Sequence, residues 1–172
     1  MKLNKRLSLV VGLCAFTLLS GLVLAQDVGP KGTASPAAMA AIGQWIGILK
    51  NPRVVDGCGC YFMAPEDYGK KPPSNKMIYE STLDTQTAYI NLQGRDMTFK
   101  KVSGEAPKEA KKGTQFSLQY LAYDIKATID LVVKQVCPPK DESCEVTNYD
   151  ATLSVDTGSA HQTMKLSGDC GC

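Results

Sequence analysis

The chain has 172 residues, with 19 Lys and Arg, 17 Asp and Glu, one His and seven Cys. Hydrophobic residues make up 44% and charged residues 21%, which excludes a wholly disordered chain and fits one globular domain with a short appendage. The net charge of +2 is too small for a polybasic nucleic-acid surface.

Residues 1–25 read as an export signal. Lys2, Lys5 and Arg6 form a basic start, and Leu7 to Leu24 is a nearly unbroken apolar stretch. Val23 and Ala25 suit a cleavage site before Gln26. The competing reading is an uncleaved membrane anchor, because the stretch has about the length of a short span. A lipoprotein signal fits poorly: Cys14 lies inside the apolar stretch, after Leu13, where lipobox cleavage wants a small residue. Cleavage removes three positive charges and leaves 16 basic against 17 acidic groups, net −1. No nucleic acid is therefore expected as a partner. No second apolar span follows, so no stable membrane insertion is expected once the signal is gone. The expected location is the periplasm or the exterior.

Residues 26–34 are polar and Gly-bearing, and read as a flexible linker ahead of a single β-rich domain at 35–172. Ser35-Pro36 suits a helix start, with Ser as N-cap and Pro in the first turn. Ala38, Ala41, Ile42, Trp45, Ile46 and Leu49 then share one side at helical spacing. This predicts one short amphipathic helix that packs Trp45 onto the rest, although Gly43 and Gly47 weaken it.

After Cys58 the period changes to two. Met77 to Ser81 reads as a strand. Ala88, Ile90 and Leu92 alternate with Tyr89 and Asn91, Gln93-Gly94-Arg95-Asp96 turns, and Met97 to Val102 returns as a hairpin. Ser103 to Gly113 is an exposed loop. Phe116, Leu118 and Tyr120 alternate next. Ile125, Ala127, Ile129, Leu131 and Val133 alternate with the outward Lys126, Thr128, Asp130 and Lys134. Ala151, Leu153 and Val155 lead into Asp156-Thr157-Gly158-Ser159, and Met164 and Leu166 follow. Short strands at this spacing predict an antiparallel β-sandwich or open barrel, stapled by disulfides.

Cys14 leaves with the signal, so six cysteines remain: Cys58, Cys60, Cys137, Cys144, Cys170 and Cys172. An even number in an exported chain argues for disulfides. Cys137 and Cys144 bracket a polar, Pro-bearing loop and form a natural pair. The other four make two Cys-Gly-Cys segments. In a strand, residues i and i+2 face the same side. Two such strands side by side give Cys58–Cys172 and Cys60–Cys170 if antiparallel. They give Cys58–Cys170 and Cys60–Cys172 if parallel. Either arrangement closes a loop of more than a hundred residues, which stabilises by about 4 to 5 kcal/mol for the first bridge in the chain-entropy model.

Two motifs suggest catalysis and fail on chemistry. Asp156-Thr157-Gly158-Ser159-Ala160 resembles the active-site loop of aspartic proteases. That reaction needs two carboxylates sharing a proton, and no second Asp-Thr/Ser-Gly occurs. A hairpin turn explains the same residues. His161 lies near Ser154, Ser159 and Asp156 in sequence, but a triad needs side chains that converge from rigid positions. A single His also argues against multi-histidine zinc or copper sites.

The expected function is therefore a non-enzymatic binding or structural role in the cell envelope, without a cofactor and with another envelope protein as the conceivable partner. The alternative places function at Cys58, Cys60, Cys170 and Cys172. Four thiolates can hold zinc, two can hold Cu(I), and a dithiol can exchange with other disulfides. Cys-Gly-Cys is a narrow spacing for zinc, and Asp56 and Asp169 nearby would raise the thiol pKa. Tyr61-Phe62, Tyr68, Tyr120, Tyr123 and Tyr149 offer a binding clue. So does the loop with Pro65, Lys70, Lys71, Pro72 and Pro73, for which an ordinary solvated connection is the competing reading.

Overall fold

The computed structural model describes residues 44–53, 58–70, 75–138 and 144–172. The signal at 1–25 and the linker at 26–34 lie outside them. The described chain is antiparallel β: β1 (Ile46–Gly47), β2 (Gly59–Met63), β3 (Met77–Ser81), β4 (Thr87–Leu92), β5 (Arg95–Ser103), β6 (Gln115–Ala122), β7 (Ile125–Gln135), β8 (Val146–Asp156) and β9 (His161–Gly171).

Strands β2 to β9 each pair with the next in sequence, and β9 pairs back onto β2. The result is a closed eight-stranded up-and-down barrel. The expected mainly β, antiparallel, disulfide-stapled fold is the observed one, and its sheet closes on itself, which removes the exposed edges an open sheet would carry. Seven of the eight seams join neighbours along the chain. The β2–β9 seam alone brings together distant parts of the chain, with Cys60 opposite Cys170 and Phe62 opposite Gly168.

The alternation read from sequence is what the barrel uses. In β7, buried Ile125, Ala127, Ile129, Leu131 and Val133 face inward. Lys126, Asp130, Val132 and Lys134 face outward and are exposed. Each fully buried large aliphatic side chain stabilises by about 1.5 to 3 kcal/mol. Five rings form a chain inside one half of the barrel. Phe116 meets Tyr149 at 5.9 Å, Tyr149 meets Phe62 at 6.4 Å, Phe62 meets Tyr79 at 5.6 Å, and Tyr79 meets Tyr120 at 6.2 Å between centroids. Gly168 makes room for this chain: a Cβ there would sit 2.0 Å from the Tyr61 carbonyl oxygen and 2.6 Å from the Phe62 ring. An aromatic side chain covering a cross-strand glycine is a known way to hold a seam.

The predicted helix does not extend to its described end. Residues 35–43 lie outside the described chain, but Ile46 and Gly47 form β1 against Leu92 and Asn91 of β4. The backbone N–H groups of Trp45 and Ile46 donate to Gln162 Oε1 at 2.9 and 3.1 Å. Gln93 N–H donates to the Trp45 carbonyl at 2.8 Å. Those partners come from distant strands and outweigh local helical spacing. Gly47 is small because Asn91 Oδ1 would lie 3.1 Å from a Cβ. Asp96 then caps the exit of the segment, accepting from Lys50 N–H and Asn51 N–H at 3.0 and 2.8 Å.

The two ends of the barrel differ. One end has tight connections at Gln93-Gly94, at Tyr123-Asp124 and at 157–160 together with the 13-residue connection from β2 to β3, and Trp45, 5% exposed, packs there. The other carries the connections 82–86, 104–114 and 136–145.

Candidate functional site

All three disulfides lie at the end where β2 begins and β9 ends. Cys58 bonds Cys172, Cys60 bonds Cys170 and Cys137 bonds Cys144, with Cα separations of 3.9, 4.0 and 5.4 Å. The antiparallel alternative is the observed one. The first two bridges span 114 and 110 residues and lie across the β2–β9 seam. They sit at the pairing with the largest loop-closure entropy in the ring. Three disulfides indicate an oxidising, extracytoplasmic compartment. While oxidised, these sulfurs supply no thiolate for a metal. Among the described residues, no group of three or more His, Cys, Asp and Glu side chains is placed to hold an ion.

Inside this end is a cavity of about 80 Å³. The Cys60–Cys170 bridge forms one wall, and Phe62, Tyr79, Phe116 and Tyr149 form others. Leu83 and Ala106, from the loops after β3 and β5, stand at its edge, and Leu83 is 52% exposed. Eight strands leave an interior that side chains fill or that holds one small ligand, and barrel mouths are common ligand sites.

One polar line enters this apolar space. Tyr79 Oη donates to Tyr120 Oη at 3.0 Å, and Tyr120 Oη donates to the Thr85 carbonyl at 3.0 Å. Burial pushes the Tyr79 phenol well above its ordinary pKa, with Tyr120 adding to the shift. Burial also raises Tyr120. Both phenols are therefore neutral donors across the physiological range. Ser81, fully buried on the same wall, hydrogen-bonds both phenols and favours their charged form. Thr85 holds φ at +57°, a conformation that β-branched residues rarely adopt. The Tyr120 bond to its carbonyl and the Lys101 Nζ bond to its Oγ1 at 3.3 Å fix it there.

A second cluster lies on the outer face. Asp169, 8% exposed, accepts from Tyr61 Oη at 3.0 Å, from Tyr68 Oη at 2.6 Å and from Asn148. Burial, then the Asp169 charge, pushes the Tyr61 phenol up to about 12 and Tyr68 higher still. This cluster fastens the loop after β2 onto β8 and β9. Tyr68 is thus turned to Asp169, while Lys71, Pro72 and Pro73 lie outside the described residues.

The motifs with catalytic appearance stand at the opposite end. Asp156 Oδ1 accepts from Gly158 N–H at 2.6 Å, and Thr157 N–H donates to the Ala160 carbonyl at 3.0 Å. Gly158 has φ +80°. These residues make the β8–β9 turn. His161 Nε2 bonds Thr163 Oγ1 at 3.0 Å, and Ser154 Oγ approaches the same oxygen at 3.3 Å. His161 is exposed on the outer face.

Sequence reasoning named Cys60, Cys170, Phe62 and Tyr149 but missed Tyr79, Ser81 and Thr85 as a group. Ser81 is the last residue of a strand and Thr85 sits in a turn. Nothing local marks them as neighbours of Tyr120. The comparisons with known proteins agree with no assignment: no protein family, curated protein or solved structure matches the chain.

Proposed function

We propose that this is an exported, non-enzymatic protein of the cell envelope, periplasmic or secreted, whose barrel is a rigid scaffold and whose disulfide end binds a ligand or partner. The observation that carries the reading is the asymmetry of the barrel. The end with the Gln93-Gly94 and 157–160 turns is filled by Trp45, while the disulfide end keeps a cavity among aromatic side chains. Binding groups on loops held by a rigid sheet are a general arrangement. The outward row of β7, with Lys126, Thr128, Asp130 and Lys134, favours contact with water over a lipid-facing role.

A second reading places function at the cysteines, through thiol exchange or metal capture. One observation favours it: Cys58 and Cys172 are exposed and Cys60 is buried, so a reductant reaches the outer bridge first. The intact mass of the protein from its native compartment, with and without alkylation, separates the two when paired with elemental metal analysis. Six oxidised cysteines and no stoichiometric metal are expected. Free thiols at Cys58, Cys60, Cys170 or Cys172, or a bound ion, would move the function to the cysteines.

A further inference from the structure

We propose that the cavity at the disulfide end takes the alkyl end of a free single-chain anionic amphiphile, of the fatty-acid type, whose head group is held at Lys101. The proposal rests on the reading of this end as the binding end and adds the chemical class.

Three observations carry it. The first is the lining. Phe62, Phe116, Leu118, Leu131 and the Cys60–Cys170 bridge form apolar walls, and no charged side chain lines the cavity. Each hydroxyl on the wall already has a partner: Tyr79 and Ser81 with Tyr120, Tyr149 with Thr147, and Thr85 with Lys101. A polar or charged ligand group would lose its hydration inside and find no free partner, so the enclosed part of the ligand is apolar. The second is size. A volume of about 80 Å³ is about half of the roughly 150 Å³ in which a dry apolar cavity takes benzene. It suits the thin end of an alkyl chain rather than a ring, with the rest of the chain leaving past the exposed Leu83 edge.

The third is charge at the mouth. Lys101 pairs opposite the inward-facing Tyr120, so its side chain starts on the inner side of the rim. Its ammonium donates to Thr85 Oγ1 at 3.3 Å, and Thr85 lines the cavity. An ammonium has three donors, and none of the ion pairs among the described residues involves Lys101. Asp84 lies in the field of both Lys100 and Lys101, but its carboxylate already accepts from Thr82 Oγ1 and Gln86 N–H at 2.5 and 3.0 Å. The 104–114 loop adds three lysines against two glutamates. The mouth therefore keeps a positive surplus beside an apolar interior, which complements an anionic head on an alkyl tail.

The test uses the full disulfide-bonded protein and four probes: octanoate, octylammonium, 1-octanol and acetate. Each is titrated while the NMR methyl signals of Leu83, Leu118 and Leu131 are followed. Octanoate is expected to shift these signals saturably and to bind at least about fivefold more tightly than octylammonium, with the gap narrowing as salt rises. Acetate should leave them unmoved. Lys101→Gln is expected to weaken octanoate about fivefold and leave 1-octanol unchanged, as loss of one partly exposed charge contact implies. The octanoate-to-octylammonium ratio in the unaltered protein needs no variant, so a folding defect in Lys101→Gln does not blunt the test. Octylammonium binding as tightly as octanoate, or undiminished octanoate affinity in a folded Lys101→Gln protein, overturns the anionic head but keeps this end as a binding site. Acetate binding as tightly as octanoate overturns the alkyl tail. No saturable shift of Leu118 and Leu131 with any probe overturns the proposal. If the protein then sediments with anionic phosphatidylglycerol vesicles, this end still binds, through its lysines and at a membrane surface. If it does not, the binding reading of this end loses the cavity that carries it.

Discussion

The two ends of this barrel are closed by different chemistry. At the Trp45 end, three connections of two to four residues, the 13-residue connection from β2 to β3 and the Trp45 segment close the interior with apolar side chains and backbone hydrogen bonds. At the disulfide end, two covalent bridges hold the seam, and polar groups enter the core. The β-bulges between Lys101 and Ser103 and between Val133 and Gln135 also lie toward this end. Bulges are common at barrel rims, where they re-aim side chains. The difference teaches that rigidity and space come from separate sources here. The bridges let the seam stay shut while the interior beside it stays incompletely packed.

The largest expected effect tests the covalent end. Replacing Cys58, Cys60, Cys170 and Cys172 together by Ala removes both long-range bridges and should lower stability by about 5 kcal/mol in the chain-entropy model. Urea unfolding of the two proteins reads it. A loss under about 2 kcal/mol would mean that hydrogen bonding and packing hold the β2–β9 seam without the sulfurs. Next comes the packed end. Trp45→Ala should cost about 3 to 4 kcal/mol, because the indole is 5% exposed in the core. A near-neutral result in the same unfolding assay would show that the arm is an accessory to a barrel already closed beneath it.

The smallest effect appears only in alkali. The Tyr61 phenol is pushed up to about 12 from an ordinary 10, and Tyr68, Tyr79, Tyr120 and Tyr149 are all raised. A raised phenol holds its proton more tightly when folded. Its contribution is complete below pH 10 and is lost as pH climbs from about 10 through the folded pKa. Stability should therefore be flat across neutral pH on account of these groups and fall above pH 10, with tyrosinate absorbance appearing late and together with unfolding. Early, stepwise titration of most tyrosines in a protein that stays folded would contradict the buried placement of Tyr79 and Tyr120.

Much of the barrel was legible because inward and outward residues alternate so strictly. Ile125 to Val133 declared a strand with one wet face, and Gln93-Gly94 declared its hairpin. The two Cys-Gly-Cys segments narrowed their pairing to two choices through strand geometry alone. The helix over Trp45 and Ile46 misled because apolar spacing in a short segment suits helix and strand alike. Its true partners, Gln162 and Leu92, lie far along the chain. The cavity at the disulfide end was illegible for the same reason. Tyr79, Ser81, Thr85 and Tyr120 are unremarkable one by one, and their meeting depends on which strands become neighbours.

The sequence by itself determined the strands, their wet and dry faces, the tight turns and the candidate cysteines, because each is set by residues adjacent along the chain. Only the tertiary structure decided that the sheet closes, that β9 runs antiparallel to β2, and that a hydroxyl line and four aromatic rings surround one cavity. Those features depend on contacts between residues 35 to 114 apart, where local periodicity carries no information about which partner is met.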